Sequence, residues 1–247
     1  MPITRTLSPY ERNQLNKWAP KIDLSSIGEK PIEYVTGHAE FADQDFIVTK
    51  DTLIPRIESV QIISIALQFI DNHSLSHPVI ADIGTGSGCL GISLAVKLSK
   101  TNTPYSIFLS DISPQALKVA DLNAQRILHS PENIFFLQSN LLENYPQIKF
   151  DLILANLPYI PSQNISKLHS SVKDFEPKIA LDGGLKGNLY INALLSKLPL
   201  FLSKGGHAIF EIDDTHSFDS FTIPQNITAT IKNDTFDKPR FLICSYL

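Results

Sequence analysis

The fold is decided by Pro78-Val79-Ile80-Ala81-Asp82-Ile83-Gly84-Thr85-Gly86-Ser87-Gly88, an apolar run that leads into a glycine-rich turn. The run predicts a buried strand over residues 78–83, and the pattern after the turn predicts a helix over residues 89–100. The three glycines remove side chains, so a ligand can approach the backbone of the turn closely. The helix that follows offers unpaired N–H groups at its N-terminus. These features predict a ligand site where the strand meets the helix.

Strands and helices alternate along most of the chain. Further strands are predicted over residues 105–110, 133–138, 150–155, 207–212, 228–232 and 240–246, and further helices over residues 58–72, 114–128 and 189–202. Alternation with continuous apolar strands indicates an α/β fold, a parallel sheet covered by helices on both faces. The last two strands read as a hairpin that places one antiparallel strand in the sheet. The pattern resembles the seven-stranded methyltransferase variant of the Rossmann-like, doubly wound fold.

The first part of the chain is less regular, which predicts a small N-terminal segment, residues 1–51, before a methyltransferase-like domain over residues 52–247. A short helix is expected from Ser8, its cap, to about Trp18, because Pro9 suits the first turn. Residues 34–41 and 46–49 are predicted to form a β-hairpin around the polar turn 42–45.

The composition is that of an ordinary globular protein, with 43% hydrophobic residues, 19% charged residues and a formal net charge of −4 over 247 residues. No stretch approaches the roughly 20 apolar residues that span a bilayer, and the N-terminus lacks the apolar centre of a secretory signal. We therefore expect a cytoplasmic protein without a membrane partner. The charge argues weakly against a surface for long nucleic acid. Cys89 and Cys244 lie in apolar runs, which predicts buried thiols and no metal site.

The spacing within the glycine turn narrows the choice of ligand. It is Gly-x-Gly-x-Gly after an aspartate, whereas a dinucleotide site has Gly-x-Gly-x-x-Gly and a P-loop carries a lysine. The pattern is the one seen in S-adenosylmethionine sites. Asp111, at the end of the next strand, suits vicinal ribose hydroxyls, with a helix cap as the alternative. Asn140 and Leu141 suit an adenine amine, with an exposed loop as the alternative. The cofactor-binding residues expected so far are Asp82, Gly84, Thr85, Gly86, Ser87, Gly88, Asp111, Asn140 and Leu141.

The segment Asn156-Leu157-Pro158-Tyr159 follows the apolar strand over residues 150–155 and suits a planar NH2 group, either an amide or an exocyclic amine. The Asn156 side-chain carbonyl and the Leu157 main-chain carbonyl can each accept one N–H of that group, while the Tyr159 ring covers its flat face. Such a grip constrains the nitrogen lone pair. Together with the glycine turn, the segment predicts methyl transfer to nitrogen, with these four residues as the catalytic set.

Several segments together resemble the HemK-type glutamine N5-methyltransferases that modify peptide chain release factors. They are residues 31–37 with Phe41, 53–58, 82–88, 156–160, 175–177, and 180–184 with Gly187. The resemblance runs from residue 31 to residue 247. It implies S-adenosylmethionine as cofactor, a release factor as protein substrate, a further cofactor contact at Asn156, and binding of the acceptor glutamine by residues 156–159. An amide nitrogen is a poor nucleophile, so catalysis must come from alignment and from stabilising the charge that develops on nitrogen.

Departures from the family pattern keep alternatives open. Leu157 stands where the family has proline, and Asn140 stands where it commonly has aspartate. Only residues 1–30 precede the first matching segment, which implies a truncated N-terminal domain. Asn-Leu-Pro-Tyr is also associated with rRNA adenine dimethyltransferases, so adenine N6-methylation of RNA is one alternative. A cofactor-binding module without turnover is another.

Two further features are expected to border the site. The polar loop over residues 160–178 is long for a compact domain and is expected to form a wall of the acceptor pocket. Arg56 and Glu58 are expected either to form an ion pair that closes the cofactor pocket or to lie solvated at a helix N-terminus.

Overall fold

The computed structural model describes residues 6–247. The chain begins with helix α1 (Pro9–Trp18), a 3-10 turn (Leu24–Ser26), helix α2 (Ile32–Thr36) and strands β1 (His38–Phe41) and β2 (Gln44–Ile47). Ser8 caps α1 as predicted, because its Oγ accepts a hydrogen bond from the Glu11 N–H at 3.2 Å. The Glu11 carboxylate in turn accepts from the Ser8 N–H at 2.7 Å. This reciprocal capping box fixes where the first helix begins.

The hairpin prediction is wrong at its first strand and at its turn. Residues 34–36 belong to α2 rather than to a strand, and Gly37 ends that helix in the left-handed conformation at φ 79°. The turn consists of Ala42 and Asp43 alone, with φ of 48° and 65°. Positive φ at both residues is typical of a type I′ turn, whose twist matches that of the flanking strands. The hairpin is therefore shorter than expected.

A seven-stranded sheet forms the centre of the molecule. Its strands are β3 (Val79–Ile83), β4 (Ser106–Asp111), β5 (Ile134–Gln138), β6 (Phe150–Ala155), β7 (Leu202–Glu211), β8 (Ile227–Asn233) and β9 (Pro239–Tyr246). They lie in the order β5-β4-β3-β6-β7-β9-β8. The strand β9 runs antiparallel to both of its neighbours, whereas the pairs from β5 to β7 are parallel. The predicted α/β fold with one antiparallel strand is confirmed. A local difference is that β7 begins at Leu202 rather than at residue 207.

Helices cover both faces of this sheet. They are α3 (Val60–Asn72), α4 (Cys89–Lys100), α5 (Pro114–Leu128) and α7 (Leu189–Phe201), with the single-turn helix α6 (Ser170–Lys173) in the loop after β6. Successive side chains of β6 enter two different hydrophobic clusters, since Leu152 and Leu154 join the first whereas Ile153 and Ala155 join the second. This alternation is that of a strand buried on both faces.

The N-terminal hairpin shares the core of the sheet. Phe41 and Phe46 belong to the first hydrophobic cluster, together with residues of α3 and α4. The buried Asn123 of α5 acts as a strand partner, because its Oδ1 accepts from the Ile47 N–H at 2.7 Å and its Nδ2 donates to the Ile47 carbonyl at 2.9 Å. The same Nδ2 donates to the Ser87 carbonyl at 2.9 Å. The hairpin is thereby fastened to the glycine turn, and the domain boundary at residue 52 stays a prediction.

The order of the strands reverses at β3. From there β4 and β5 lie on one side of the sheet, and β6 and β7 lie on the other. Such a reversal leaves a crevice beyond the carboxyl ends of the strands, where open α/β sheets bind their ligands. Among residues 6–247, no helix is long and apolar enough to cross a membrane.

Candidate active site

A cleft opens at the carboxyl ends of β3, β4 and β6. It encloses about 1080 Å³, part of which is open to solvent. The predicted site residues that line it are Gly84, Thr85, Gly86, Ser87, Asp111, Asn140, Leu141, Asn156, Leu157 and Pro158. Asp82, Gly88 and Tyr159 do not line it. The structure therefore brings the glycine turn and the acceptor segment into one cavity.

Asp82 and Gly88 shape the turn without facing the cleft. The buried Oδ2 of Asp82 accepts hydrogen bonds from Thr85 Oγ1 at 2.7 Å and from the Gly91 N–H at 3.0 Å. Burial raises the pKa of Asp82 to about 6, and these two hydrogen bonds oppose the rise. Gly88 precedes α4 with φ of 83°, and a Cβ there would lie 2.5 Å from Ile92 Cδ1. Both residues hold the turn in shape, and their contact with the cofactor stays a prediction.

Gly86 leaves open space on the wall of the cleft. Ser87, the next residue, has a side-chain hydroxyl without a hydrogen-bond partner among the described residues. Gly86 has φ of 55°, and a Cβ built on it meets no other atom within 4 Å. The Ser87 Oγ is buried and finds no hydrogen-bond partner within the described part of the chain. An unpaired buried hydroxyl of this kind is what a bound polar ligand would satisfy.

Asp111 places a carboxylate at the end of β4. Its Oδ2 accepts from the Gly86 N–H at 2.9 Å, and its Oδ1 accepts from the Ser113 N–H at 2.9 Å. Burial raises the pKa of Asp111, and the N–H groups of Ser113 and Gly86 oppose the rise. Each carboxylate oxygen has a second acceptor position, so hydroxyl donors can still bind. The helix-cap role falls to Ser113, whose Oγ accepts from the Ala116 N–H.

Asn140 and Leu141 form the rim of the cleft beyond β5. The Asn140 Nδ2 donates one proton to Glu143 Oε1 at 3.1 Å, and the amide oxygen is available to a donor of a ligand. Leu141 is left-handed, with φ of 51°, so the chain turns sharply at the rim. The arrangement offers an acceptor to an amine, as the sequence predicted for Asn140.

Asn156 directly follows β6, and both protons of its side-chain amide are hydrogen-bonded. Its Nδ2 donates to Ser59 Oγ at 3.0 Å and to Glu211 Oε2 at 3.1 Å. No donor among residues 6–247 binds its Oδ1, and Asn156 lines the cleft. The amide oxygen is therefore the part of this side chain that can serve a ligand.

Leu157 and Tyr159 differ in their relation to the cleft. The buried side chain of Leu157 packs on the glycine turn, so that a Cβ on Gly84 would lie 3.0 Å from its Cδ2. The Tyr159 hydroxyl donates to Glu211 Oε1 at 2.9 Å. Burial raises the pKa of Tyr159, and the neighbouring carboxylate of Glu211 raises it further. Tyr159 stays a neutral phenol, and its stacking on the acceptor stays a prediction.

A glycine-rich loop, residues 183–187, packs against the backbone of the acceptor segment. The Gly183 N–H donates to the Ile160 carbonyl at 2.9 Å. A Cβ on Gly183 would lie 2.6 Å from the Pro158 carbonyl oxygen, and a Cβ on Gly187 would lie 2.1 Å from the Tyr159 carbonyl oxygen. Backbone packs directly on backbone here, which is why both positions require glycine.

Arg56 pairs with Glu176 and not with Glu58, which corrects the expectation from the sequence. Its Nη2 lies 2.5 Å from Glu176 Oε1, and Glu176 Oε2 accepts from the Ile54 N–H at 3.2 Å. Burial raises the pKa of Glu176, and the Arg56 guanidinium opposes the rise. Because Arg56 lines the cleft, the pair ties the rim of the cleft to the polar loop.

The polar loop forms a wall of the cleft only at its end. It folds into 3-10 turns at Ser162–Lys167 and Lys178–Ala180, separated by α6. Within the loop over residues 160–178, Pro177 lines the cleft, whereas residues 160–176 and Lys178 do not; the adjoining Ile179 and Ala180 line it as well. The expected wall is therefore much shorter than the loop.

The described residues include two cysteines but no cluster of candidate metal ligands. Among them, no group of three or more His, Cys, Asp and Glu side chains could hold a metal ion. Cys89 and Cys244 are free thiols, and burial raises the pKa of each to about 12.

Three residues of the site were not predicted from the sequence: Ser59, Glu176 and Glu211. Glu211 lies 152 residues from Ser59 and 55 residues from Asn156 along the chain, so no local spacing relates them. The one available signal was a carboxylate at the end of an otherwise apolar strand, where burial of a charge requires partners.

Comparison with known proteins gives the following matches. Residues 64–173 match the methyltransferase small domain family. The release factor glutamine methyltransferase of Clostridium acetobutylicum is 32% identical over 226 residues, which are 91% of this chain and 76% of that protein. The protein of the same name from Flavobacterium psychrophilum is 31% identical, over 97% of this chain and 85% of its own length.

Other relatives match over a smaller part of their length, and distant structures share the fold. Four further bacterial release factor glutamine methyltransferases are 34–37% identical, and the matched part spans 61–63% of their length. The crystal structure of the hMettl16 catalytic domain with an RNA hairpin superposes with a TM-score of 0.57 at 14% identity, covering 81% of this chain and 74% of that one. At that identity the likeness shows the fold alone.

Proposed function

This chain belongs to the release factor glutamine methyltransferase family, and from that premise we propose that it transfers a methyl group from S-adenosylmethionine to the side-chain nitrogen of a glutamine in a peptide chain release factor. One observation carries the proposal. Asn156 presents an amide oxygen that no donor among residues 6–247 binds, in the same cleft that the glycine turn and Asp111 line.

The residues of the cleft fit the proposed cofactor. The open cradle at Gly86 and the unpaired Ser87 Oγ accept a ligand against the turn. Asp111 retains acceptor positions for ribose hydroxyls, and Asn140 retains an amide oxygen for an amine. When bound, S-adenosylmethionine supplies a methyl group on a positively charged sulfur that is open to nucleophilic attack.

The acceptor segment supplies what an amide nitrogen lacks. Asn156 Oδ1 and the Leu157 carbonyl oxygen can each accept one N–H of the glutamine side chain, which fixes the plane of the NH2 group and the direction of its lone pair. The same two oxygens carry partial negative charge. They therefore stabilise the positive charge that develops on nitrogen as the new bond forms.

A transfer assay tests the proposal. The full chain is incubated with methyl-labelled S-adenosylmethionine and with either a purified release factor or structured rRNA. We expect label in the release factor, and mass spectrometry of its peptides to place it on a glutamine side chain. The variant Asn156→Ala should bind the cofactor in calorimetry but transfer at least about 10²-fold more slowly, because one acceptor of the NH2 group is gone.

The other outcomes separate the alternatives. Label in RNA alone would reject the protein substrate in favour of adenine methylation. Cofactor binding without transfer to either acceptor would instead indicate a binding module without turnover.

A further inference from the structure

Glu211 is a buried carboxylate on which three donors from two separate parts of the chain converge. Glu211 is the last residue of β7 and is 1% exposed. Ser59 Oγ and Asn156 Nδ2 both donate to its Oε2, and the Tyr159 hydroxyl donates to its Oε1 at 2.9 Å. Glu211 therefore contacts the first and the last residue of the acceptor segment at once.

The chemistry of this cluster decides which way the Asn156 amide points. An ionised carboxylate only accepts hydrogen bonds. The Ser59 hydroxyl uses its proton in the hydrogen bond that it donates to Glu211. Both neighbours of the Asn156 side chain thus present lone pairs, at 3.0 Å and 3.1 Å. A reversed amide would set its own oxygen against two acceptors, with every hydrogen bond lost. The NH2 end must face Glu211, so the oxygen end faces the cleft.

The surroundings of Glu211 act on its pKa in opposite directions. Burial raises its pKa, but the donors Ser59 and Tyr159 and the positive charge of Arg240 oppose that rise. In the structure Ser59, Asn156 and Tyr159 all donate to Glu211, so the carboxylate accepts hydrogen bonds at both of its oxygens.

We propose that Glu211 is a positioning residue that holds the Asn156 amide with its oxygen toward the acceptor nitrogen. The kinetic part of this inference rests on the proposed function, whereas the orientation of Asn156 does not. Glu211 acts here as a hydrogen-bond acceptor. Its negative charge is not required for the orientation.

Two substitutions separate acceptance from charge. Glu211→Gln keeps an oxygen that can accept from Asn156 and Ser59, while its NH2 group can donate to Tyr159 Oη. Glu211→Met keeps the length of the side chain and removes the acceptor. As a control, Asp151→Ala removes a carboxylate at the opposite end of β6 that accepts from the Val79 N–H and Ser203 Oγ.

The first readout is independent of activity. In the asparagine-15N-labelled chain, the side-chain NH2 signal of Asn156, assigned by its absence from Asn156→Ala, should exchange slowly with solvent. We expect slow exchange to persist in Glu211→Gln and Asp151→Ala and to become at least about tenfold faster in Glu211→Met, because a buried hydrogen bond protects against exchange.

The second readout is the methylation of release factor. Glu211→Met should lower kcat about 10²-fold, the scale of misplacing a catalytic group by about 1 Å, with KM for S-adenosylmethionine within about twofold. Glu211→Gln should stay within about tenfold of the parent. Unchanged exchange and kcat in Glu211→Met would overturn the proposal, and so would an equal loss of kcat in both variants. Loss of protection in a chain that methylates no release factor would reject the proposed function and leave the positioning role standing.

A rescue experiment covers the case in which Glu211→Met does not fold. In the parent chain, Asn156 Nδ2 lies 3.1 Å from Glu211 Oε2. Asn156→Asp replaces this donor with a second carboxylate and should abolish transfer. Adding Glu211→Gln supplies an NH2 donor to the new carboxylate at position 156, so the pair is joined again with donor and acceptor exchanged. The double variant should recover at least about tenfold in kcat over the single variant, because the repulsion between like charges is gone. No recovery in a folded double variant would refute the proposal.

Discussion

Gly187→Ala isolates the contact between the glycine-rich loop and the acceptor segment. Gly187 has φ of 73°, and its added Cβ would lie 2.1 Å from the Tyr159 carbonyl oxygen. The left-handed backbone alone costs an alanine about 1–2 kcal/mol. Relief of the clash requires the two backbones to separate by roughly 1 Å, at a further cost of about 1–3 kcal/mol.

The chain offers a matched control for the first of these two costs. Gly205 has φ of 80°, and its added Cβ meets no other atom within 4 Å. Gly205→Ala therefore carries the backbone strain without the clash. The difference between the two variants in free energy of unfolding should be about 1–3 kcal/mol, the cost of overpacking alone.

Activity should separate the two variants more sharply than stability. Moving the Tyr159 backbone by roughly 1 Å displaces the acceptor residues beside it, and such a shift typically lowers the rate about 10²-fold. Urea unfolding and kcat/KM for release factor methylation measure the two effects. Equal unfolding free energies and equal kcat/KM for Gly187→Ala and Gly205→Ala would refute the buttressing role of the glycine-rich loop.

Three further predictions concern titratable groups. Because burial raises the pKa of Asp82 to about 6, its stabilising protonated form is lost as pH rises through that value, and the parent should lose about 1 kcal/mol relative to Asp82→Asn between pH 5 and pH 7 in urea unfolding. Arg56→Ala should cost about 2 kcal/mol by leaving the buried carboxylate of Glu176 unpaired, and adding Glu176→Gln should recover at least half of that loss in the same measurement. Cys244, which is fully buried and has its pKa raised to about 12, should resist alkylation by iodoacetamide at pH 8 in the native chain and react fully in urea, and labelling of this native thiol within minutes would contradict its burial.

The regular elements were predictable because their signals are local. The helix predicted over residues 114–128 is found with those bounds. Ser113 caps it and Pro114 is its first residue. The strand over residues 150–155 is a continuous apolar run and is also found with those bounds. Local signals failed where the residues that flank a short segment decide its conformation. An example is α2, which lies between Pro31 and Gly37 and whose sequence is equally compatible with a strand.

The candidate site divides in the same way. Gly86, Asp111 and Asn156 were predicted to face one ligand because each follows the end of a parallel strand, and such ends meet at one edge of a sheet. Asp82 and Gly88 belong to the same motif but do not line the cleft. Spacing places a residue in a turn, and only the packing of that turn decides whether its side chain points outward or inward.

By itself, the sequence determined the order of strands and helices, the glycine turn and the acceptor segment, because each depends on residues adjacent in the chain. The tertiary structure alone decided that Arg56 pairs with Glu176, that Gly187 touches the Tyr159 backbone, and that Glu211 directs the Asn156 amide. Those contacts join residues far apart in the chain. A buried charge or a close backbone approach is satisfied by whatever the fold brings near it, and no sequence spacing records that neighbour.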